Sequence, residues 1–148
     1  MALLLTIDAS VFVSACRRGE PGHHASREFL DKLRGTNVPL IEPAILPVEV
    51  AAALSRTGSN PVLAKEFAET LFVLPHLTVV PVDEHLSRRA MALASQRKLR
   101  GADALYVTVA IQYGAHLVTL NSEQLRRAPS SVSACKPDSA VDLLKSVL

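Results

Sequence analysis

Three carboxylates and one carboxamide stand where this chain could do chemistry: Asp8, Glu49, Asp103 and Asn121. Glu49 shares the stripe of Leu46, Val50, Ala53 and Leu54 at helical spacing. A carboxylate on such an apolar face is costly to bury unless it is paired or binds a cation. The alternative is a place at the edge of the stripe, in water. Asp8 ends the apolar run Leu3–Ile7, and Asn121 directly follows Leu117–Leu120. Ligand sites of open parallel sheets lie beyond the carboxyl ends of the strands, so these two polar residues could face one crevice. Asp103 begins the most apolar helical stretch of the chain. Asp8 and Asp103 also have a plainer reading as helix caps, because an aspartate at a helix start satisfies free N–H groups.

The elements that must position these residues alternate in type. Leu3–Ile7 is a short continuous apolar run, as in a strand buried on both faces, and a helix Ala9–Cys16 starts at its end. A second helix is expected over Ala25–Leu33 with Gly35 just beyond it, followed by a strand Val38–Ile41. Pro47 suits the first turn of a helix that carries Glu49 and stops near Gly58. Pro61 opens the next helix, through Leu63, Phe67 and Leu71. Leu77–Val80 is a strand ended by Pro81. Asp83 caps a helix whose buried stripe is Leu86, Ala90, Leu93 and Ala94. An apolar helix over Ala102–Tyr113 is closed by Gly114, and His116–Leu120 forms a fourth strand. A short helix over Ser122–Arg127, an edge strand near Val132–Ala134 and a last helical turn or two near Val141–Val147 complete the chain. This alternation predicts an α/β fold around a mostly parallel sheet of four to five short strands, with no repeat or interdomain linker.

Composition narrows the classes. At 49% apolar and 20% charged residues, the chain reads as an ordinary globular domain. Its net charge of +2 permits a nucleic-acid partner without requiring one. No stretch approaches the roughly 20 apolar residues of a membrane helix, and the first apolar run is too short for a signal peptide. Cys16 and Cys135 read as two buried or free thiols in a reducing cytoplasm. With two tyrosines, four phenylalanines and no tryptophan, stacking platforms for single strands are not expected. His23 and His24 lack metal-ligand company and read as exposed loop residues.

The stretches Leu5–Ser10, Pro47–Leu54, Gly101–Ala110 and Leu117–Asn121 resemble the PIN-domain family in order and spacing. They resemble VapC-type toxin ribonucleases. The resemblance spans essentially the whole chain, 1–148, as a single PIN domain with a three-layer α/β/α sandwich. It implies a metal-dependent endoribonuclease, the toxin of a toxin–antitoxin pair, in which Asp8, Glu49 and Asp103 hold Mg²⁺ or Mn²⁺. Ser10 and Thr119 would be supporting polar groups. Hard divalent cations favour oxygen ligands and relieve the repulsion within a carboxylate cluster. Many relatives carry Asp where this chain has Asn121, so a weaker, neutral ligand is expected there. Glu123, two residues on, is expected to point elsewhere.

Arg17 and Arg18, then Arg97, Lys98 and Arg100, then Arg126 and Arg127 form basic clusters near the site elements and are candidate RNA contacts. Their alternative reading is as solvated helix ends. The resemblance also implies a cognate antitoxin and a homodimer, for which the helices around Leu63–Phe72 have spare apolar surface. A haloacid-dehalogenase-type phosphatase would need a second Asp at position 10, which is Ser10 here. A dinucleotide site would need glycines in the turn Asp8-Ala9-Ser10. The remaining alternative is a PIN-like module that binds RNA or protein without cleaving.

Overall fold

The computed structural model describes residues 2–58 and 60–147. Five strands form one all-parallel sheet: β1 (Leu5–Ile7), β2 (Leu40–Pro43), β3 (Leu77–Val80), β4 (His116–Val118) and β5 (Ala134–Cys135), in the order β3-β2-β1-β4-β5. Among the described residues eight α-helices connect and flank them: α1 (Ala9–Cys16), α2 (His23–Arg34), α3 (Leu46–Arg56), α4 (Pro61–Thr70), α5 (Glu84–Arg97), α6 (Gly101–Tyr113), α7 (Ser122–Arg127) and α8 (Pro137–Lys145). Helix α6 packs on β1, β2 and β4 and carries α5 on its outer side. Helices α1, α2, α3, α4 and α8 form a separate packed group. These are the layers expected of a sheet sandwiched between helices.

Local sequence accounts for most boundaries. Asn60 caps α4 ahead of Pro61, Asp83 caps α5, and Gly114 ends α6 at φ 68°. Helix α2 starts two residues earlier than expected because Gly22, at φ 86°, turns the chain into it. A β-carbon there would also meet the Leu120 side chain at 3.0 Å. This start corrects the reading of His23. The ring is buried, with Nδ1 2.8 Å from the Ser14 carbonyl near the end of α1, while His24 is exposed. The tail helix α8 begins at Pro137, earlier than the apolar positions suggest, because proline is readily placed in a first turn. Both cysteines are free thiols, Cys16 exposed and Cys135 partly buried.

Two strand ends depart from the expected boundaries in ways that shape the site. Strand β4 stops at Val118 rather than Leu120, because the next main-chain amides turn to hydroxyls: Leu120 N–H donates to Ser10 Oγ and Asn121 N–H to Thr119 Oγ1. Strand β2 runs from Leu40 to Pro43, two residues later than expected. It pairs with β3 over four residues but with β1 at the single register pair Leu5↔Leu40. The amides of Leu40 and Ala44 point to β3, so those of Ile41 and position 43 face β1, and Pro43 has none to offer.

Candidate active site

The open rung between β1 and β2 is filled by side chains. Leu5 N–H donates to the Pro39 carbonyl, so a regular parallel ladder would next send Ile7 N–H to the Ile41 carbonyl. Ile7 N–H donates instead to Glu42 Oε2 at 2.8 Å, and Thr6 Oγ1 donates to the Ile41 carbonyl at 2.8 Å. Glu42 is thus drawn between two strands just before Asp8, at the carboxyl end of the sheet.

Asp8 itself caps α1, its Oδ2 accepting Ser10 N–H at 3.0 Å, while its main-chain N–H donates to the Val118 carbonyl. Its other oxygen, Oδ1, accepts Nε2 of Gln124 at 3.2 Å. Gln124 is fully buried, donates also to the Asp103 main-chain carbonyl at 3.3 Å, and accepts the Thr119 hydroxyl at 2.6 Å. Ser10 Oγ and Thr119 Oγ1 stand 3.5 Å apart. Asn121 caps α7, its side-chain oxygen accepting Glu123 N–H and Gln124 N–H, and its NH₂ donates to Asp103 Oδ2 at 3.2 Å. The ends of β1 and β4 and the starts of α6 and α7 are therefore tied together by short polar side chains. The cap reading holds at Asp8. For Asn121, the oxygen serves the cap and the face turned to the acids is an N–H donor.

Glu49, on α3, is half-buried, so its stripe position is real but wet at one side. Burial raises its carboxyl above the usual range, and the charges of Asp8 and Asp103 add to this against the nearby Tyr106 hydroxyl. Burial and the Asp8 charge likewise raise Asp103, opposed by Arg100 and the Asn121 amide. Glu42 is raised most clearly: it is 1% exposed, with the Ile7 N–H opposing burial and the Asp8 charge reinforcing it. Tyr106 is pushed far up by burial and by the charges of Glu49, Asp8 and Glu42, and its hydroxyl is buried beside Glu49 without a hydrogen bond of regular geometry.

Asp8, Glu42, Glu49 and Asp103 make no salt bridge among the described residues. That donor set is all carboxylate oxygen, offset by Arg100 at Asp103 alone among the charges named above, which suits a hard divalent cation. Among the described residues no three His, Cys, Asp or Glu side chains are already gathered into a cation-holding group.

The basic clusters divide. Arg100 is at the start of α6 and acts on Asp103. Arg127 donates to the Lys98 carbonyl at 2.7 Å and pairs with Glu123, joining the second and third clusters beside Asp103. Glu123 faces Arg126 and Arg127, away from a ligand role. Arg17 is held by Glu20 and the Thr57 carbonyl, while Arg18 and Arg97 are exposed. Gln124, Glu42 and Tyr106 were not legible as site residues. Gln124 occupies the third helical position after a capping Asn, a place where Gln often reaches back to the cap. Here it turns inward. Glu42 lay just past the expected strand end at Ile41.

A parallel sheet flanked by helices, with Asp8 at the carboxyl end of its first strand and Asp103 and Glu49 close enough for their charges to interact, defines an α/β domain with acidic groups at the carboxyl edge of the sheet. The PIN-domain family model matches residues 5–129. The chain belongs to the PIN-domain family. Solved structures share the fold. VapC20 of Mycobacterium tuberculosis, described as a sarcin-ricin loop cleaving toxin, aligns at a TM-score of 0.71 and 14% identity, covering 87% of this chain and 98% of that one. A Pyrobaculum aerophilum protein aligns at 0.70 and 24% identity, covering 99% and 98%. VapBC2 of Rickettsia felis, bound to a promoter DNA fragment, aligns at 0.63 and 16% identity, covering 90% and 98%. No curated protein sequence matches significantly.

Proposed function

We propose that the chain is a divalent-cation-dependent endoribonuclease, the toxin of a toxin–antitoxin pair, folded as one PIN domain over 1–148. The observation that carries this reading is the set of acids at the carboxyl end of the sheet, where the charges of Asp8 and Asp103 bear on Glu49 and none of the three forms a salt bridge among the described residues. These three would hold Mg²⁺ or Mn²⁺. Asn121, in place of a fourth acid, would act on Asp103 through its N–H. When bound, the cation supplies positive charge for a phosphodiester and makes water a stronger acid. Ser10 and Thr119 are engaged with Leu120 N–H and Gln124, so they support the floor rather than act as covalent nucleophiles. Arg100 and the surface joined by Arg127 would meet the phosphates of RNA.

Partner assignments rest on the same reading. A groove lined by Phe12, Leu30, Phe67 and Leu71, with Arg27 and Arg34 among its walls, would take an apolar antitoxin segment. Val62, Leu63, Phe72 and Val73 are exposed and would serve a homodimer contact. Among the described residues no helix is long and apolar enough to cross a membrane, and a cytoplasmic location is proposed with the toxin role.

Purified protein should cut RNA with Mg²⁺ or Mn²⁺ and stop in EDTA. Asp103→Asn should stay folded and lose cleavage. Cutting that continues unchanged in EDTA would sink the mechanism. The N–H that Asn121 turns to Asp103 favours one second reading, a PIN module that binds RNA or protein without cutting. RNA binding with no cleavage at any metal concentration would select it.

A further inference from the structure

The Glu42 carboxyl has a role that its fold contacts leave unexplained. One oxygen, Oε2, accepts Ile7 N–H, which takes the place of the ladder bond to the Ile41 carbonyl. The other, Oε1, is buried and has no hydrogen-bond partner. A strand wedge needs only the first oxygen. Glutamine would provide it, without a buried charge and with an N–H to spare. An unsatisfied buried carboxylate oxygen is expensive, so a residue kept there for packing alone would be a poor choice.

Its surroundings point the same way. Glu42 lies close enough to Asp8 for their charges to oppose one another, and Tyr106 feels Glu42, Glu49 and Asp8 together. The Tyr106 hydroxyl is buried beside the Glu49 carboxyl, outside regular hydrogen-bond geometry. Glu42 Oε1 is therefore a buried polar atom without a partner near Asp8, and no Lys, Arg or His among the described residues forms a salt bridge with Glu42. On the Asp103 side the corresponding place is taken by the neutral Asn121.

We propose that Glu42 is a fourth acidic group of the cation site, supplying from β2 the negative charge that position 121 lacks and turning its free Oε1 to a divalent cation. The inference rests on the metal-dependent reading of the pocket. It assigns a site residue on a strand that the sequence resemblance leaves out, and it locates the cation's surplus charge on the Asp8 side.

Mn²⁺ titration calorimetry on the full chain, beside melting in EDTA, tests it. Glu42→Gln keeps the acceptor for Ile7 N–H and removes the charge. It should melt no lower than wild type in EDTA and bind Mn²⁺ about 10–100-fold more weakly. Adding Asn121→Asp should raise affinity by a larger factor in Glu42→Gln than in wild type, a non-additivity that a purely structural role would not produce. If wild type binds Mn²⁺, Asp103→Asn does not, and Glu42→Gln binds like wild type, the inference is overturned and the metal-dependent reading stands. If wild type binds no Mn²⁺, both fall. Should Glu42→Gln fail to fold, anomalous scattering from Mn²⁺-soaked wild-type crystals decides. A peak beside Asp8 and Glu42 is expected, and one too far from Glu42 for even a bridging water overturns the proposal.

Discussion

Replacing Gln124 by leucine separates the positioning of the acids from the acids themselves. The side chain is fully buried and makes three hydrogen bonds, to Asp8 Oδ1 at 3.2 Å, the Asp103 carbonyl at 3.3 Å and the Thr119 hydroxyl at 2.6 Å. A bond to a charged acceptor contributes about 1.5–3 kcal/mol and a neutral one about 0.5–1.5. Leucine is close in size and returns about 1–2 kcal/mol through apolar burial. The net loss should be on the order of 2–4 kcal/mol. For a domain of this length that is a fall of roughly 5–15 °C in melting temperature. The assay is thermal unfolding by circular dichroism in EDTA at neutral pH, with every carboxylate retained. Gln124→Glu should fall further, since it sets another acid against Asp8. Mn²⁺ affinity of Gln124→Leu should also drop, because a ligand that is no longer held pays for its own ordering. If Gln124→Leu melts within a degree or two of wild type, the amide does not hold Asp8, and the positioning argument is refuted.

Further expectations concern charge and the Tyr106 hydroxyl. Glu42, Glu49 and Asp103 all have raised folded-state pKa values, so the unfolded chain loses these protons first as pH rises. Their penalty is absent below the ordinary carboxylate pKa of about 4 and complete once pH passes the raised values. The melting temperature in EDTA should therefore climb from neutral to mildly acidic pH, before general acid unfolding, and saturating Mn²⁺ should flatten that slope; a flat profile without metal would show that the acids do not meet. Asn121→Asp keeps the α7 cap but exchanges an N–H donor to Asp103 for a charge. It should lower stability in EDTA and raise Mn²⁺ affinity, and no change in either would place position 121 outside the pocket. Tyr106→Phe removes a buried hydroxyl without a hydrogen bond of regular geometry and should melt no lower than wild type in EDTA, whereas a loss above about 1 kcal/mol would mean that the hydroxyl is bonded.

The sheet and most helices were legible because their signals are local. Continuous apolar runs gave β1 and β4, Asp83 and Gly114 act as punctuation, and Ala9–Cys16 and Ser122–Arg127 are helices as expected. The boundaries that shifted are those set by non-local hydrogen bonds. Strand β4 ends early because Ser10, over a hundred positions away in sequence, takes the Leu120 amide. Strand β2 runs on to Pro43 because it follows β3, not β1. The same distinction separates the site residues. Asp8 and Asp103 stand out by strand and helix position, and the family resemblance joins them to Glu49. Gln124 and Glu42 acquire their roles only from partners far along the chain, Asp8 for one and Ile7 for the other. His23 was misread for the same reason, since the Ser14 carbonyl that buries it lies across a turn.

The bond from Gln124 to Asp8 closes a loop across 116 positions. Chains emerge from the ribosome N-terminus first, at about 5–20 residues per second, and long-range contacts wait for both ends to exist. Strand β1 can pair with β2 while later segments are still unmade, but its carboxylate stays unclamped until α7 has been synthesised and docked. Residue 8 and the amide that fixes it thus become available many seconds apart. A truncated or stalled chain ending before α7 retains Asp8, Glu49 and Asp103 yet lacks the piece that holds the first of them in register. Completion of synthesis is then built into the positioning of Asp8 at the end of β1.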